Sequence, residues 1–382
     1  MIPLRNLKRF FYKAIKQPGY AFRVLFKRIC AGFYYKFGRS RSPMPEAVTL
    51  FLTHRCNLRC LMCGQWGEGG VTKTQDQAII QQELTPEQIR SVIDDLARYK
   101  SNITLFGGEP LLFPGCVELI GYIRRKGLHC LMISNGSLLE KYAEGIVDAG
   151  LNELNISLDG GEELHDQIRG MPGLFQRIIS GVERVNYFKA AKNASSPLVN
   201  LQCTITKYNY RHLEQLLGVA GRIKADSLTF HNLIFLDAGV LARQKPRDVE
   251  LSCSSKNWEG FVFDPSIDPE ELYKKIMQVK KGKYSFSVDF YPNFGLNQLQ
   301  RYYCDMGYQA KGACCLSPWV CAYIFPDGQI RPCLNSSYSF GDITKNPLAM
   351  LWNSEKAAVY RRTLLKQGIF PVCARCTELY RY

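Results

Sequence analysis

The sequence predicts an α/β protein with an N-terminal helical extension and a small cysteine-rich C-terminal domain. Between residues 47 and 235, apolar strand-like runs alternate with amphipathic helix-like runs, an order typical of a parallel sheet. The first 45 residues contain eleven Lys or Arg and no Asp or Glu, whereas seven of the fifteen cysteines follow residue 303. These three observations divide the chain into an extension (1–45), a sheet domain (46–235), a bridging region (236–303) and a cysteine-rich domain (304–382).

The extension carries most of the net charge of +15. Apolar residues recur at helical spacing within residues 4–17 and again from Phe22 to Phe33, opposite Lys and Arg, with Pro18-Gly19 between the two segments. Basic amphipathic helices of this kind are typical of attachment to an anionic membrane surface. The alternative is that both helices pack on the sheet domain and expose their charges to water. No motif that reads nucleic acid is present, so we expect no nucleic-acid partner.

Composition argues against a secreted or membrane-spanning protein. The sequence has no signal-peptide pattern, and no apolar run approaches the roughly 20 residues that span a bilayer. Fifteen cysteines without an export signal favour a reducing cytoplasm and thiols that bind metal. We therefore expect a cytoplasmic protein with peripheral attachment to the inner face of the membrane.

The sheet domain contains six predicted strands, at 47–53, 102–106, 128–133, 153–158, 198–205 and 227–233. Five helices are predicted between them, at 85–99, 114–126, 138–149, 174–190 and 210–222. Thr85-Pro86-Glu87 opens the first helix, because a capping residue is followed by proline at the first helical position. Residues 235–267 do not continue this alternation and predict a lid or a disordered loop, and a helix follows from Pro269 to Lys281.

Three cysteines, Cys56, Cys60 and Cys63, follow the first strand with the spacing C-x3-C-x2-C. Three thiolates on one loop suit a [4Fe–4S] cluster, because soft sulfur ligands suit iron and three ligands leave one iron open to substrate. The alternatives are a structural zinc site, which usually takes four ligands in two separated pairs, and a chance grouping of thiols. The glycine-rich stretch from Gly64 to Gly70 continues this loop and could wrap closely around a cluster.

Together with Gly107-Gly108-Glu109-Pro110 after the second strand, this spacing resembles the radical S-adenosylmethionine (radical SAM) superfamily. The resemblance implies a partial (β/α)6 TIM-like barrel over residues 46–235. It also implies a [4Fe–4S] cluster that binds S-adenosylmethionine and cleaves it reductively to a 5′-deoxyadenosyl radical, with a flavodoxin or ferredoxin as reductant. One departure is Met62, where the family usually has an aromatic residue against adenine; a polarizable methionine can serve there.

Chemistry in parallel barrels collects on the loops after the strands. The resemblance implies that Glu109 faces the amino group of S-adenosylmethionine and that Arg169 faces its carboxylate. Polar residues after strands three and four are implied to meet the ribose hydroxyls. Alone, each feature has an ordinary alternative, such as a turn or a solvated arginine. The predicted cofactor-binding residues are Met62, Gly107, Gly108, Glu109, Ser134, Asn135, Ser157, Asp159 and Arg169.

The cysteine-rich domain predicts a second metal site. The stretch from Cys315 to Cys333, with Pro326-Asp327-Gly328 at its centre, predicts two strands joined by a tight turn. With Cys373 and Cys376 it resembles the SPASM/Twitch extensions of radical SAM enzymes, which implies one auxiliary [4Fe–4S] cluster held by Cys315, Cys333, Cys373 and Cys376. Cys314 and Cys321 are possible substitutes, and zinc is the alternative metal. Cys30, Cys116, Cys130 and Cys203 lie in element patterns and predict structural thiols.

The predicted activity is therefore radical SAM chemistry in which the auxiliary cluster binds substrate or removes an electron. The basic extension favours a lipid-linked or membrane-surface substrate. One alternative is an enzyme that modifies a ribosomally made peptide, and another is an iron–sulfur electron carrier or redox sensor without catalysis. The sequence names no acid or base that acts on the substrate.

Overall fold

A ten-stranded sheet forms the centre of the molecule. The computed structural model describes Ile15, residues 18–308 and residues 314–381. The strand order is β10-β9-β8-β1-β2-β3-β4-β5-β6-β7, with parallel pairing from β8 through β1 to β7. The strands are β1 Ala47–Phe51, β2 Asn102–Phe106, β3 Cys130–Ser134, β4 Glu153–Ser157, β5 Leu198–Ile205, β6 Ser227–Asn232, β7 Ser287–Tyr291, β8 Cys321–Ile324, β9 Gln329–Arg331 and β10 Gly341–Asp342.

Helices connect the parallel strands and bury one face of the sheet. In the described residues they are α1 Pro18–Phe37, α2 Gln77–Gln81, α3 Pro86–Tyr99, α4 Cys116–Arg125, α5 Leu139–Asp148, α6 Glu162–Arg169, α7 Leu174–Ala191, α8 Gln215–Arg222, α9 Ala238–Glu250, α10 Pro269–Lys281, α11 Leu296–Cys304, α12 Ser317–Val320, α13 Leu348–Trp352 and α14 Glu355–Gln367. Short 3-10 turns occupy Pro110–Leu112, Lys256–Phe261, Pro371–Cys373 and Thr377–Tyr380.

This architecture confirms the predicted α/β fold with an open, partial barrel. All six predicted strands form, and helices occupy the predicted connections. The start of α3 shows why: Thr85 Oγ1 accepts the Gln88 N–H, the Gln88 side chain accepts the Thr85 N–H, and Pro86 lacks a donor that the first turn would leave unpaired. The helix predicted from Pro269 to Lys281 is α10, capped by Asp268.

The bridging region differs from the prediction. Residues 235–267 were expected to form a lid or a disordered loop, but they contain the 13-residue helix α9 with Pro246 inside it, followed by a 3-10 turn. After α10 the chain adds β7, which pairs in parallel with β6 and was not predicted. The alternation therefore continues past residue 235, because a further strand covers the open edge of β6.

The cysteine-rich domain joins the same sheet at its other edge. The predicted hairpin forms between β8 and β9 around Gly328, whose positive φ of 76° suits a tight turn. Residues 317–320 form the short helix α12 instead of the predicted strand. β8 pairs in parallel with β1, so this domain and the barrel share one set of backbone hydrogen bonds.

Helix α1 packs on the barrel by its less apolar face. Lys27 Nζ donates to the Tyr99 carbonyl oxygen at 2.7 Å, Arg28 pairs with Glu46 at 2.8 Å, and Ala31 is buried. The opposite face exposes an apolar stripe of aromatic and branched side chains. The stripe consists of Phe22, Phe26, Ile29, Phe33 and Phe37. The helix predicted within residues 4–17 lies, apart from Ile15, outside the described residues.

In the part of the chain that the structure describes, no helix is long and apolar enough to cross a membrane.

Candidate functional site

The loop after β1 carries Cys56, Cys60 and Cys63 at the carboxyl end of the parallel sheet. Its backbone is fixed from several directions: the Leu61 N–H donates to the Ile168 carbonyl oxygen at 2.9 Å, and the Cys63 N–H donates to that of Cys60 at 3.1 Å. The Cys63 thiol accepts the Trp66 N–H at 3.3 Å. The structure thus holds the three thiols on one ordered loop.

Gly108 joins this cysteine loop to the loop after β2. The Gly108 N–H donates to the Thr53 carbonyl oxygen at 2.8 Å, and the Glu109 N–H donates to that of Arg55 at 2.9 Å. A Cβ on Gly108 would overlap the Arg55 carbonyl oxygen, and one on Gly107 would lie 2.7 Å from the Thr53 carbonyl oxygen. The two glycines are therefore required by close approach of backbone to backbone.

Glu109 is fully buried and connects the loops after β2 and β3. Its carboxylate accepts hydrogen bonds from Ser134 Oγ at 2.9 Å, the Asn135 N–H at 2.7 Å and the Leu111 N–H at 3.1 Å. Burial raises the pKa of Glu109 to about 7 despite these donors. A contact between Glu109 and the amino group of S-adenosylmethionine stays a prediction.

Asp159 and Arg169 form a buried ion pair beside the cysteine loop. Arg169 Nε lies 2.6 Å from Asp159 Oδ2, and the Thr204 N–H donates to Asp159 Oδ1 at 2.8 Å. Arg169 Nη1 approaches the Cys60 thiol at 3.8 Å. Both carboxylate oxygens of Asp159 thus have protein partners. The sequence, from which we predicted contact between Asp159 and the ribose hydroxyls, did not indicate these partners. Arg169 is a buried, paired residue and not the solvated loop arginine of the alternative reading.

The remaining predicted residues surround the same loop. Asn135 Nδ2 donates to Asn57 Oδ1 at 3.0 Å and approaches the Cys56 thiol at 4.0 Å. Met62 is half-buried against the core, and Ser157 ends β4 on its half-exposed face. The structure therefore brings residues from the loops after β1 to β4 together at one end of the sheet.

The thiols of this loop are better suited to binding iron than to acting as acids or bases in catalysis. Burial raises the pKa of the Cys56 thiol to about 12 and raises that of Cys60, so both are protonated until a metal displaces the proton. Across the described ranges, no group of three or more His, Cys, Asp or Glu side chains is placed to hold one metal ion. An all-sulfur donor set on a loop with tight backbone contacts fits an iron–sulfur cluster.

The inner face of the partial barrel is polar along β4 to β7. Along β5, half-exposed Asn200, Gln202 and Thr204 alternate with fully buried residues, so they line the open face. Across the strands, Asn200 Nδ2 donates to Asn155 Oδ1 at 3.0 Å, and His231 Nε2 lies 2.6 Å from Gln202 Oε1. We call these residues the polar wall, which consists of Asn155, Ser157, Asn200, Gln202, Thr204, Ser227, His231 and Tyr291.

The polar wall reaches the second cysteine site. Tyr291 contacts His231 edge to face and donates its hydroxyl to the Thr377 carbonyl oxygen at 2.7 Å, directly after Cys376. Arg375, fully buried, donates from Nε to the Tyr302 carbonyl oxygen at 2.8 Å, and Tyr302 donates to that of Leu233 at 2.8 Å. These contacts fasten the Cys373–Cys376 loop to the carboxyl end of β6.

The four predicted auxiliary cysteines are buried or half-buried, and two of them, Cys333 and Cys373, line the same small cavity. Burial raises the pKa of the thiols of Cys315, Cys333, Cys373 and Cys376. For three of them, the negative charge of another of these cysteines raises the pKa further; for Cys333, the charge of Glu378 does so. The proposed substitute Cys321 is instead part of β8 and packs in the core. Cys116, Cys130 and Cys203 are buried as predicted, and Cys30 is half-buried on α1.

Sequence reasoning missed Trp66, Arg375 and, apart from Ser157, the polar wall. Trp66 Nε1 donates to the His54 carbonyl oxygen at 2.8 Å, and Arg59 stacks on its ring at 4.3 Å. The alternation Asn200-x-Gln202-x-Thr204 was visible in the sequence and could have indicated a polar inner face. Nothing in the sequence marked Arg375 as a structural contact.

Two family models match the chain. The radical SAM superfamily matches residues 50–220, and the SPASM iron-sulfur cluster-binding domain matches residues 314–377. The fold and the site thus define a radical SAM enzyme. The chain belongs to the radical SAM superfamily and carries a C-terminal SPASM domain. These domains imply a [4Fe–4S] cluster with S-adenosylmethionine and auxiliary iron–sulfur binding, so iron and not zinc is the metal of the tail.

Two relatives that align with most of the chain are named as biosynthetic enzymes. The chain is 26% identical to Fe-coproporphyrin III synthase of Methanosarcina barkeri over 90% of this chain and 86% of that protein. It is also 26% identical to the AdoMet-dependent heme synthase of the same organism, over 87% and 88%. These names support an enzymatic function and argue against the alternative hypothesis that the protein is a non-catalytic electron carrier.

A solved structure supports the fold. Streptococcus suis SuiB bound to precursor peptide SuiA superposes with a TM-score of 0.58 over 85% of this chain and 68% of that one, at 13% sequence identity. This identity is low, so the likeness concerns the fold alone.

Proposed function

We propose that this radical SAM/SPASM enzyme abstracts a hydrogen atom from an amide-bearing substrate, such as a peptide, bound along the polar wall. The observation that carries this proposal is the row of amide and hydroxyl side chains between the two cysteine sites. Amide side chains can both donate and accept, which matches the alternating N–H and C=O groups of a peptide. A lipid tail or a purely apolar substrate offers no donor or acceptor to this polar face and would remove it from water without replacing the lost hydrogen bonds.

The cofactor assignments follow the site. We assign Cys56, Cys60 and Cys63 to the catalytic cluster, and Cys315, Cys333, Cys373 and Cys376 to an auxiliary one. When bound, the catalytic cluster and S-adenosylmethionine supply the 5′-deoxyadenosyl radical. Gly108 holds the two cofactor loops together, Arg169 lies beside Cys60, and the polar wall orients the substrate. Enzymes of this family generally take electrons from a flavodoxin or ferredoxin, and we expect such a partner.

A tetrapyrrole is the second candidate substrate, because the relatives above are named as porphyrin and heme synthases. Porphyrin carboxylates would be matched by lysine or arginine. The described inward-facing positions of β4 to β7 carry no lysine and no arginine. Their side chains are amides and hydroxyls, together with Glu153, Asp289 and His231. This charge pattern favours the amide-bearing substrate. Nothing in the relatives supports the lipid-linked substrate.

The substrate proposal is tested with two probes. Reduced, cluster-loaded enzyme is incubated with S-adenosylmethionine and either a random-sequence peptide library or iron coproporphyrin III. We expect the peptides, and not the porphyrin, to raise 5′-deoxyadenosine formation. The variant Gln202→Leu, which cannot pair with His231, should lose this stimulation and keep the basal rate. Stimulation by the porphyrin alone would overturn the proposal and favour the tetrapyrrole.

We propose separately that the apolar stripe of α1 docks on an anionic membrane surface. Phe26 and Phe33 are 68% and 61% exposed, and the basic residues Arg23, Lys36 and Arg41 lie on or just beyond the same helix. Aromatic insertion combined with basic residues, each worth roughly 1 kcal/mol near an anionic surface, would support peripheral attachment. The inward face of α1 stays on the barrel in this arrangement.

Liposome co-sedimentation tests the membrane proposal. The double variant Phe26→Ser/Phe33→Ser should lose most binding to anionic liposomes, and wild-type binding should fall with salt because the attraction is screened. Tyr187→Ser is the matched control, since Tyr187 is equally exposed at 68% but lies on α7. Equal sedimentation of wild type and double variant would contradict the proposal.

A further inference from the structure

Residues 236–262, here called the clasp, form a closed excursion from the sheet. The Leu236 N–H donates to the Phe261 carbonyl oxygen at 2.8 Å, and Leu236 bridges Val262 in parallel. Between these ends lie α9 and the 3-10 turn Lys256–Phe261. Trp258 is buried inside the excursion and contacts the Phe261 ring. The clasp is therefore a packed unit whose two ends meet.

One side of the clasp presses on the cysteine loop. A Cβ on Gly260 would overlap the carbonyl oxygen of Gly64, and a Cβ on Gly64 would lie 2.6 Å from the Phe261 ring. Gly64 directly follows Cys63, and its carbonyl oxygen also accepts the Val71 N–H at 3.0 Å. The backbone next to Cys63 is thus confined between the clasp and its own loop.

The other side of the clasp forms part of the auxiliary site. The Ser254 N–H donates to Ser337 Oγ at 2.7 Å. Cys253 lines one small cavity together with Cys333 and Cys373. α9 packs against Pro371–Cys373. The same unit therefore contacts both sets of cysteines.

We propose that the clasp holds Cys63 in position and makes that position depend on the auxiliary site. Gly260 and Phe261 are the positioning residues. This inference rests on the proposed assignment of Cys63 to the catalytic cluster. Because the clasp is packed as one unit, a shift at Ser254 or Cys253 displaces Gly260 and thereby Gly64. The geometry of the catalytic cluster then depends on an intact auxiliary site. Neither family match includes any residue of the clasp, because one ends at residue 220 and the other begins at residue 314.

The variant Gly260→Ala tests the inference in the full-length, cluster-loaded protein. Its new Cβ forces Gly64 to move, so we expect both clusters to assemble but the S-adenosylmethionine-responsive electron paramagnetic resonance (EPR) signal to change shape. Affinity for S-adenosylmethionine should weaken about tenfold, as is typical when support behind a metal ligand is lost. Gly218→Ala on α8, where a Cβ meets nothing within 4 Å, is the matched control and should behave as wild type.

Two further variants keep the inference testable if Gly260→Ala does not fold. Phe261→Leu removes the ring against Gly64 and should change the same EPR signal to a smaller extent. Ser337→Ala, on the auxiliary side, should also change it, because it removes the side-chain member of the two hydrogen bonds that join Ser254 to Ser337. An unchanged catalytic signal in all three variants, or a Ser337→Ala effect confined to the auxiliary signal, would overturn the inference. Absence of any S-adenosylmethionine-responsive signal in the wild type would instead refute the proposed function.

Discussion

Replacement of Cys56, Cys60 and Cys63 together by alanine is expected to abolish reductive cleavage of S-adenosylmethionine. The three thiols lie on one loop, and the loops after β2 to β4 meet there. Without them no cluster is held beside Gly108 and Arg169, so the 5′-deoxyadenosine yield should fall to background. Iron should fall by half, to about four per chain, because the auxiliary site keeps its own cubane cluster.

Cys304→Ala is the matched control for this experiment, since Cys304 is an exposed cysteine in neither site. It should keep both the iron content and the cleavage activity of the wild type. Continued formation of 5′-deoxyadenosine by the triple variant would show that the loop after β1 does not hold the catalytic cluster.

The double variant Cys373→Ala/Cys376→Ala is expected to lose the auxiliary cluster and product formation while keeping uncoupled cleavage of S-adenosylmethionine. The barrel site is built on other loops, and Arg375 and Tyr302 still fasten the C-terminal loop to β6. Iron should again fall to about four per chain. Because the clasp contacts both sites, the EPR signal of the catalytic cluster should change shape, but the catalytic cluster itself should still assemble.

Metal analysis of the full-length protein gives the result that would contradict this prediction. Zinc in place of iron at the C-terminal cysteines, or the loss of both clusters in the double variant, would show that the tail is not an independent auxiliary iron–sulfur site.

The sequence was sufficient for the parts of the fold that short-range patterns encode. The six strands and the cap at Thr85 follow from apolar runs of strand length and from local hydrogen bonding. The spacing of Cys56, Cys60 and Cys63 placed them on one loop after β1, and the Gly107-Gly108 pair indicated close backbone contact. Each of these features depends on residues a few positions apart.

Features that depend on long-range contacts were not predicted. β8 pairs with β1 across more than 270 residues of sequence, which no local pattern could indicate. The partner of Asp159 is Arg169, so a carboxylate assigned to ribose is already paired inside the protein. The amphipathic pattern of α1 predicted an apolar face but not its direction, because Lys27 and Arg28 supply the contacts that turn the helix toward the barrel. In each case the deciding partner lies in another element.

The most direct test of the account is EPR spectroscopy of the reduced, iron-loaded wild type with and without S-adenosylmethionine, combined with measurement of 5′-deoxyadenosine. We predict two [4Fe–4S] signals, of which one, lost in the Cys56/Cys60/Cys63 variant, shifts when S-adenosylmethionine binds, and we predict accumulation of 5′-deoxyadenosine. Two signals that are both insensitive to S-adenosylmethionine, with no 5′-deoxyadenosine, would contradict the account.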